Sequence, residues 1–284
     1  MELTTIENEN RTELMSLELT QAQFERISSV VYKLCRINLH LGKEVLVKAR
    51  LAKRLRLLGM SNFEEYMDYL ERDKSGKELS IMIDSLTTNK TSFFRESQHF
   101  EYLQRHLLPS LKAESNRIRI WSAGCSSGEE PYTLSVVIRE TFPDVDRMDV
   151  RILATDISSK VLDTAKEALY NKDTLKDVPP DMVRKYFTCT QTKPMRIYKV
   201  NDNARSMIRF ARLNLMDQWP MSGPFDVIFC RNVMIYFDKP TQQELVRRYW
   251  EMLRPGGHLF VGHSESLTAT SHQFKYVQPA VYIK

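Results

Sequence analysis

Two adjacent carboxylates, Glu129 and Glu130, follow a short turn of small residues in the segment 117–134. The apolar residues before the turn indicate a buried strand, and the residues after it are typical of a helix. Gly124 and Gly128 supply the backbone freedom that a tight strand-to-helix turn needs. Because open α/β sheets bind ligands at such turns, we expect the carboxylates to line a pocket.

The two carboxylates argue against a dinucleotide site. The spacing between Gly124 and Gly128 lacks the three-glycine pattern, and a pyrophosphate prefers backbone N–H groups to acidic side chains. A ligand with hydroxyl groups or a positive charge suits them better. S-adenosylmethionine carries a ribose, an ammonium group and a sulfonium, so the turn favours this cofactor over a dinucleotide.

Polar side chains also end the later strands of the predicted sheet. The second strand, residues 150–156, ends on Asp156, which is placed to accept both hydroxyls of a ribose. Alternatively, Asp156 or Ser158 caps the helix that follows. Two more strands, at 207–215 and 224–232, end on further candidates: Asn214, Leu215, Arg231 and Asn232. Parallel strands share one carboxyl edge, so we expect these residues at one site.

The elements that position these residues predict an α/β protein with an all-helical N-terminal domain at 20–86. Residues 97–284 are predicted to form a doubly wound, mostly parallel sheet domain that binds S-adenosylmethionine, with a small antiparallel β insertion at about 178–206. Residues 1–19 lack hydrophobic periodicity and are predicted to be a flexible tail. The linker at 87–96 is rich in hydroxyl groups, so we expect it to contribute to the active site.

Within the helical domain, the helix predicted over Lys43–Leu58 is strongly basic. Residues 20–58 carry a net charge of +7, whereas residues 1–19 and 61–84 each carry −4. This pattern indicates either a solvated face or a docking helix for an acidic partner. A nucleic acid is less favoured, because aromatic residues do not alternate with the charges. The basic residues concerned are Lys48, Arg50, Lys53, Arg54 and Arg56.

Composition narrows the class of protein. The chain has 284 residues, 42% of them hydrophobic and 27% charged, with no apolar run long enough for a membrane span and an N-terminus unlike a signal peptide. The cysteines are scattered, which favours reduced thiols over a disulfide frame or zinc site: Cys35, Cys125, Cys189 and Cys230. His263 ends a strand, but no second donor stands at a metal-binding spacing. We therefore expect a cytoplasmic protein without a metal.

Three segments carry a resemblance to a known family. They are Thr-Asn-x-Thr-x-Phe-Phe-Arg at 88–95, Ser-x-x-x-Ser-x-Gly-Glu-Glu-Pro-Tyr at 122–132, and Phe-Cys-Arg-Asn-Val-Met-Ile-Tyr-Phe at 229–237. With the strand ends they resemble the CheR family of bacterial chemotaxis receptor methyltransferases, over essentially residues 20–284.

The resemblance implies methyl transfer from S-adenosylmethionine to glutamate side chains of chemoreceptors, which gives glutamyl methyl esters and S-adenosylhomocysteine. It implies catalytic roles for Arg95 and Tyr236, and receptor docking through the basic helix of a monomer. Some members also bind a receptor C-terminal pentapeptide at the β insertion, but the turn at 188–192 lacks the glycines expected for this. The implied cofactor contacts are Asn89, Thr91, Arg95, Glu130, Asp156, Asn214, Leu215, Arg231 and Asn232.

Two other classes of function compete with this one. A methyltransferase acting on a nucleic acid base usually carries Asp/Asn-Pro-Pro-Tyr/Phe after its fourth strand, whereas this chain reads Cys-Arg-Asn-Val at 230–233. The other is a scaffold or sensor protein that keeps the pocket only to bind the cofactor, and the presence of Arg95, Glu130 and Asp156 argues against such a loss of activity. The absence of a base–nucleophile pair also agrees with carboxyl methylation, because a glutamate with a pKa of about 4.3 is already ionised at neutral pH.

Overall fold

The computed structural model of the protein describes residues 17–284. Contacts divide the chain into two units, with the boundary between Thr88 and Asn89. Most of the predicted tail, residues 1–16, lies outside the described residues. At its described end Leu17 is buried, so this residue does not behave as part of a flexible tail.

The first unit is helical. The helix predicted over Lys43–Leu58 is observed at Glu44–Leu58. Thr20 opens the first helix with a capping box, and Asn62 caps the third helix and accepts a hydrogen bond from the backbone N–H of Glu65. Within residues 17–88 the helices are α1 (Gln21–Cys35), α2 (Glu44–Leu58), α3 (Phe63–Arg72) and α4 (Lys77–Leu86).

Three of the five basic residues predicted to dock a partner make contacts within this unit, and that of Arg56 is the weakest, from Nε to the Ala52 carbonyl at 3.4 Å. Arg54 of α2 donates from Nε to Glu78 at 2.8 Å, and a second guanidinium nitrogen contacts the same carboxylate. Glu78 is only 3% exposed and also accepts the Tyr66 hydroxyl at 2.9 Å. Arg50 donates to the Thr88 hydroxyl at 2.7 Å. Breaking a buried ion pair is strongly destabilising, so Arg54 stabilises the unit itself.

The second unit is built on a seven-stranded sheet of order β6-β2-β1-β7-β8-β10-β9. Its strands are β1 (Arg117–Ala123), β2 (Asp149–Asp156), β6 (Ile208–Arg212), β7 (Phe225–Cys230), β8 (Leu253–Val261), β9 (Lys275–Gln278) and β10 (Val281–Ile283). The first five strands in the spatial order run parallel, and β10 and β9 add an antiparallel edge. Every residue of β7 is buried, as expected for a central parallel strand.

Helices cover both faces of this sheet, because alternate residues of each strand point to opposite sides. In β1, Ile120 packs into one apolar cluster and Trp121 into the other. The helices are α5 (Gln98–Tyr102), α6 (Leu108–Glu114), α7 (Glu129–Thr141), α8 (Ser159–Glu167), α9 (Pro180–Tyr186), α10 (Asp202–Arg205) and α11 (Lys239–Met252). The mostly parallel, doubly wound architecture is therefore confirmed.

Three local features complete this unit. A π-helical turn at Leu103–Leu107 joins α5 to α6, and Pro109 falls in the first turn of α6, where its missing N–H is tolerated. β9 and β10 form a hairpin, with Ala280 in the left-handed region. The β insertion includes a strand well before residue 178. Its order is β3-β5-β4: β3 (Leu169–Asn171), β5 (Ile197–Val200) and β4 (Phe187–Gln191).

Candidate functional site

The carboxyl ends of β6, β2, β1 and β7 form one edge of the sheet, and the predicted site residues follow these strands. In the centre, Ile120 of β1 pairs with Ile152 of β2 on one side and with Val227 of β7 on the other. The chain leaves β1 toward β2 on one side and leaves the adjacent β7 toward β8 on the other, and open α/β sheets form a ligand crevice where the direction reverses in this way. The structure therefore places the residues after these four strands along a single edge.

The turn after β1 is tightly enclosed by its neighbours. Gly124 adopts φ of +92° and donates its N–H to the carbonyl of Thr155 at 2.8 Å. A Cβ atom at this position would lie 2.3 Å from Cγ2 of Val233. Gly128, at φ of +99°, then caps α7. Backbone freedom at both glycines thus allows the turn to pack between the ends of β2 and β7.

Asp156 connects this turn to the end of β2. Its carboxylate accepts the backbone N–H of Ser126 at 2.9 Å and that of Ser158 at 3.0 Å, and the residue is 8% exposed. The cap of α8 is Ser158, whose hydroxyl accepts from Val161. Of the two capping alternatives, the structure therefore selects Ser158, and Asp156 fixes the turn beside the strand end.

Arg231 is the centre of the largest buried ionic network at this edge. Its side chain is 2% exposed and donates to Glu130 at 3.0 Å and to Glu96 at 3.2 Å. It also donates to the backbone carbonyl of Arg95 and lies 5.4 Å from the centroid of the Phe100 ring. One guanidinium therefore faces two carboxylates, which leaves an excess of negative charge. The network joins the segment after Asn89 to the ends of β1 and β7.

Burial and neighbouring charges set the ionisation of this edge. Burial, followed by the charges of Asp156 and Glu130, raises the pKa of the Cys125 thiol, which is therefore neutral and a poor nucleophile. Burial opposes ionisation of Glu96, but the charge and hydrogen bonds of Arg231 outweigh it and lower the pKa of that carboxyl. Glu96 is therefore ionised, and the edge presents several carboxylates that suit a cationic ligand.

The segment predicted as a linker is held against this edge. The carbonyl of Asn89 accepts the Ser126 hydroxyl at 2.8 Å. Thr91 and Arg95 are half-buried, and Arg95 donates from Nη1 to the carbonyl of Lys90 at 2.9 Å. These contacts place the predicted residues of the segment on the second unit.

Asn214 and Leu215 follow β6, one strand beyond β2. The Asn214 side chain accepts the backbone N–H of Met216 at 3.1 Å, which forms a turn directly after the strand. Leu215 is 8% exposed, and its carbonyl accepts the Trp219 indole at 3.2 Å and the Arg248 guanidinium at 2.6 Å. The turn is thus fixed in place at the same edge.

The loop after β7 depends on Glu265, which sequence analysis missed. Asn232 adopts φ of +58° and donates its N–H to Glu265 at 2.7 Å. The same carboxylate accepts the N–H groups of Ile235 at 3.1 Å and Gly262 at 2.6 Å. Tyr236 is half-buried and ends the 3₁₀ turn of this loop. An acid shortly after a strand end was the available signal for Glu265.

His263, two residues after the end of β8, lies beside two further possible ligands. Glu96, His99 and His263 each offer a donor atom, and these atoms lie within 4.8 Å of one another. Sequence spacing alone did not reveal these neighbours of His263. Burial, and secondarily Arg231, lowers the pKa of His99 to about 3, so its ring is neutral; the nearby Pro279 carbonyl acts in the opposite direction.

No helix within residues 17–284 is long and apolar enough to cross a membrane.

Comparisons with known proteins agree with this layout. Residues 22–87 match the family model described as CheR methyltransferase, all-alpha domain, and residues 89–283 match CheR methyltransferase, SAM binding domain.

Named relatives span almost the whole chain. A chemotaxis protein methyltransferase from Borreliella burgdorferi is 39% identical, with 98% of this chain and 99% of the relative covered. One from Escherichia coli is 39% identical over 94% and 92% of the two chains. A probable chemotaxis protein methyltransferase from Rhizobium etli is 41% identical over 89% and 96%. Together with the two domain matches, these similarities show that the chain belongs to the CheR methyltransferase family.

Proposed function

We propose that the protein transfers a methyl group from S-adenosylmethionine to glutamate side chains of chemoreceptors and so forms glutamyl methyl esters. Family membership supports methyl transfer in chemotaxis. The observation that carries the proposal is the convergence of Glu130, Asp156 and Arg231 at one sheet edge, beside a segment that contains Arg95. The carboxylates at this edge suit a cationic cofactor. The guanidinium of Arg95 suits an anionic substrate.

The residues at the edge fit S-adenosylmethionine chemically. Asp156, at the end of β2, is a carboxylate in the position that accepts ribose hydroxyls in related sheets. The carboxylates that raise the pKa of Cys125 also favour the ammonium and sulfonium charges of the cofactor. The residues proposed to hold it are Asn89, Thr91, Arg95, Glu130, Asp156, Asn214, Leu215, Arg231 and Asn232. When bound, the cofactor supplies an electrophilic methyl group.

The chain itself needs to supply positioning rather than a general base. A substrate glutamate is ionised at neutral pH, and its oxygen is already a nucleophile. Catalysis then consists of holding that oxygen in line with the methyl group and excluding water. The neutral Cys125 offers no competing nucleophile, in agreement with direct transfer.

Arg95 and Tyr236 are proposed to orient the substrate carboxylate. The backbone of Arg95 is fixed by Arg231, and its guanidinium is held by the Lys90 carbonyl. An arginine withdraws electron density from a carboxylate, so contact with the non-attacking oxygen, or with the cofactor carboxylate, suits Arg95 better than contact with the nucleophile. Tyr236 is carried by the loop that Glu265 fixes, and its hydroxyl is proposed to orient the attacking oxygen.

Arg95→Ala tests this assignment. We expect turnover to fall by about 100-fold, the scale of a misplaced substrate, while the melting temperature stays unchanged. Arg105→Ala, at an exposed arginine of the π-helical turn, is the matched control. Wild-type turnover by Arg95→Ala with purified receptor would exclude the role.

Receptor docking is proposed through the exposed part of the basic helix. Arg50 and Arg54 make contacts within the helical unit. Reversing their charge would destabilise this unit, so a loss of receptor methylation could not be attributed to docking. Lys48→Glu with Lys53→Glu is the sharper variant. We expect it to slow receptor methylation, most strongly at low salt, without changing cofactor affinity. Lys74→Glu, at an exposed lysine outside α2, is the control.

The edge of the small sheet is proposed as a second contact for a receptor C-terminal pentapeptide. β4 is an edge strand of the order β3-β5-β4, and four of its five residues are exposed. An extended peptide can add to such an edge by main-chain hydrogen bonds. Calorimetric titration with receptor C-terminal peptides tests this contact, and no heat of binding would remove it.

The reaction itself is tested with methyl-labelled cofactor and receptor fragments. We expect label on receptor glutamates that is released as methanol in mild alkali, because carboxyl esters hydrolyse in base. Label that survives alkali, or that is transferred to RNA instead, would refute carboxyl methylation.

A further inference from the structure

The cluster of Glu96, His99 and His263 is not explained by methyl transfer. Glu96 and His99 are three residues apart, whereas His263 lies far along the sequence, and one donor atom of each lies within 4.8 Å of the others. Within residues 17–284, no other group of three or more His, Cys, Asp or Glu side chains brings its ligand atoms this close together. Two imidazoles and one carboxylate form a donor set typical of zinc and other divalent transition metals.

His99 gives the independent sign of a ligand. Its side chain is fully buried, at 0% exposure, and within residues 17–284 neither ring nitrogen makes a hydrogen bond of good geometry, although the Pro279 carbonyl lies near the ring. Buried polar groups are normally paired, so an exception calls for an explanation. Nδ1 lies 3.5 Å from the Glu96 carboxylate, and the ring centroid lies 4.9 Å from that of His263. The unpaired ring thus lies against the other two donors.

Access favours a cation here, and the charge of Arg231, which opposes one at His99, is itself balanced by carboxylates. Arg231 faces the two carboxylates of Glu96 and Glu130, which leaves one negative charge in excess. His263 is exposed, so an ion can reach the cluster from solvent. The ring of His263 can also turn toward the other donors. This movement would let each donor atom lie at the distance of about 2.0–2.2 Å from the metal that zinc requires.

We propose that Glu96, His99 and His263 bind a divalent transition-metal ion of the Zn²⁺ type, with its remaining coordination position open to solvent. Mg²⁺ is excluded as the preferred ion, because it selects oxygen ligands in an octahedral arrangement. The site is distinct from the residues proposed to hold the methyl donor, although Glu96 also contacts Arg231.

Because Glu96 contacts both Arg231 and the proposed metal site, metal binding should affect the cofactor edge. A metal bound to Glu96 competes with Arg231 for that carboxylate and so perturbs the Arg231–Glu130 pair at the proposed cofactor edge. We therefore expect the metal-loaded protein to bind S-adenosylmethionine more weakly. This consequence rests on the proposed function, whereas metal binding itself does not, so the two are measured separately.

The test is titration of the full chain with Co²⁺, whose visible absorption reports its ligands, followed by displacement with Zn²⁺. We expect one ion per chain, with visible bands that Zn²⁺ removes and Mg²⁺ does not. His263→Gln should weaken the affinity at least about tenfold, the lower end of the loss caused even by indirect partners of a metal. His106→Gln, at an exposed histidine outside the cluster, should leave the affinity unchanged.

Two results would overturn the proposal. One is the absence of a Co²⁺ spectrum in a wild-type protein that melts cooperatively. The other is an equal spectrum and affinity in His263→Gln and wild type, which would place the ion at another histidine. Glu96→Gln serves as a second variant, provided that its melting temperature shows an intact fold. Calorimetry of S-adenosylmethionine with and without Zn²⁺ then measures the coupling through Arg231 independently.

Discussion

Replacing Glu265 by glutamine tests how the loop after β7 is held. One oxygen of Glu265 accepts from Asn232 at 2.7 Å and from Gly262 at 2.6 Å, and the other accepts from Ile235 at 3.1 Å. Glutamine has a single acceptor oxygen. If that oxygen keeps the first two bonds, its NH₂ group faces the N–H of Ile235, and two donors oppose each other. At least one backbone donor therefore loses its partner.

The expected cost follows from these contacts. A buried donor without its acceptor costs about 1–3 kcal/mol, and two charge-assisted bonds become weaker neutral ones. Burial raises the pKa of Glu265, which shows that the buried charge is itself unfavourable. Part of the loss is thus offset. We expect a net destabilisation of about 1–3 kcal/mol, or roughly 2–4 °C in melting temperature for each kcal/mol in a unit of this size.

Tryptophan fluorescence during urea unfolding is the assay, because it reports only the larger unit. All three tryptophans lie after residue 88: Trp121, Trp219 and Trp250. Glu251→Gln, at an exposed helical residue, should stay within about 0.5 kcal/mol of wild type. We also expect Glu265→Gln to weaken cofactor binding, since the loop carries Asn232. If Glu265→Gln has the urea midpoint and cofactor affinity of wild type, the loop does not depend on this carboxylate.

Three further predictions concern other parts of the chain. Arg54→Glu should destabilise the helical unit by about 3–5 kcal/mol, because it leaves Glu78 buried without its partner, whereas Lys53→Glu should change its circular-dichroism melt by less than about 0.5 kcal/mol. Burial lowers the pKa of His258. Just below a pH of about 6.5, therefore, His258 is protonated in the unfolded chain but remains neutral in the folded chain. Stability should therefore fall as the pH drops below about 6.5, and less steeply in His258→Phe. Finally, of the four cysteines only the exposed Cys189 should react quickly with a thiol reagent, and rapid modification of two or more would contradict the burial of the others.

Sequence predicted the parts of the site that depend on local rules. The strand, turn and helix around Gly124 and Gly128 follow from apolar periodicity and from backbone freedom. The meeting of Glu130, Asp156 and Arg231 at one edge follows because parallel strands share their carboxyl ends. These features need little knowledge of tertiary packing.

The remaining contacts depend on packing between distant segments. Arg231 and Glu96 are 135 residues apart, and the cluster of His99 with His263 requires the start of α5 to lie against the end of β8. The spacing of charges in α2 likewise did not reveal that Arg54 is paired with the buried Glu78. Burial and partner choice of this kind are fixed only by the assembled fold.

Calorimetric titration of the protein with S-adenosylmethionine, wild type against Asp156→Ala, tests the central claim most directly. The account predicts one saturable site in the wild type and at least a tenfold loss of affinity in Asp156→Ala, about 1.4 kcal/mol or more. Asp163→Ala, at an exposed position of α8, should bind as wild type does. No binding by the folded wild type, or equal binding by Asp156→Ala, would contradict the assignment of the cofactor to this edge of the sheet.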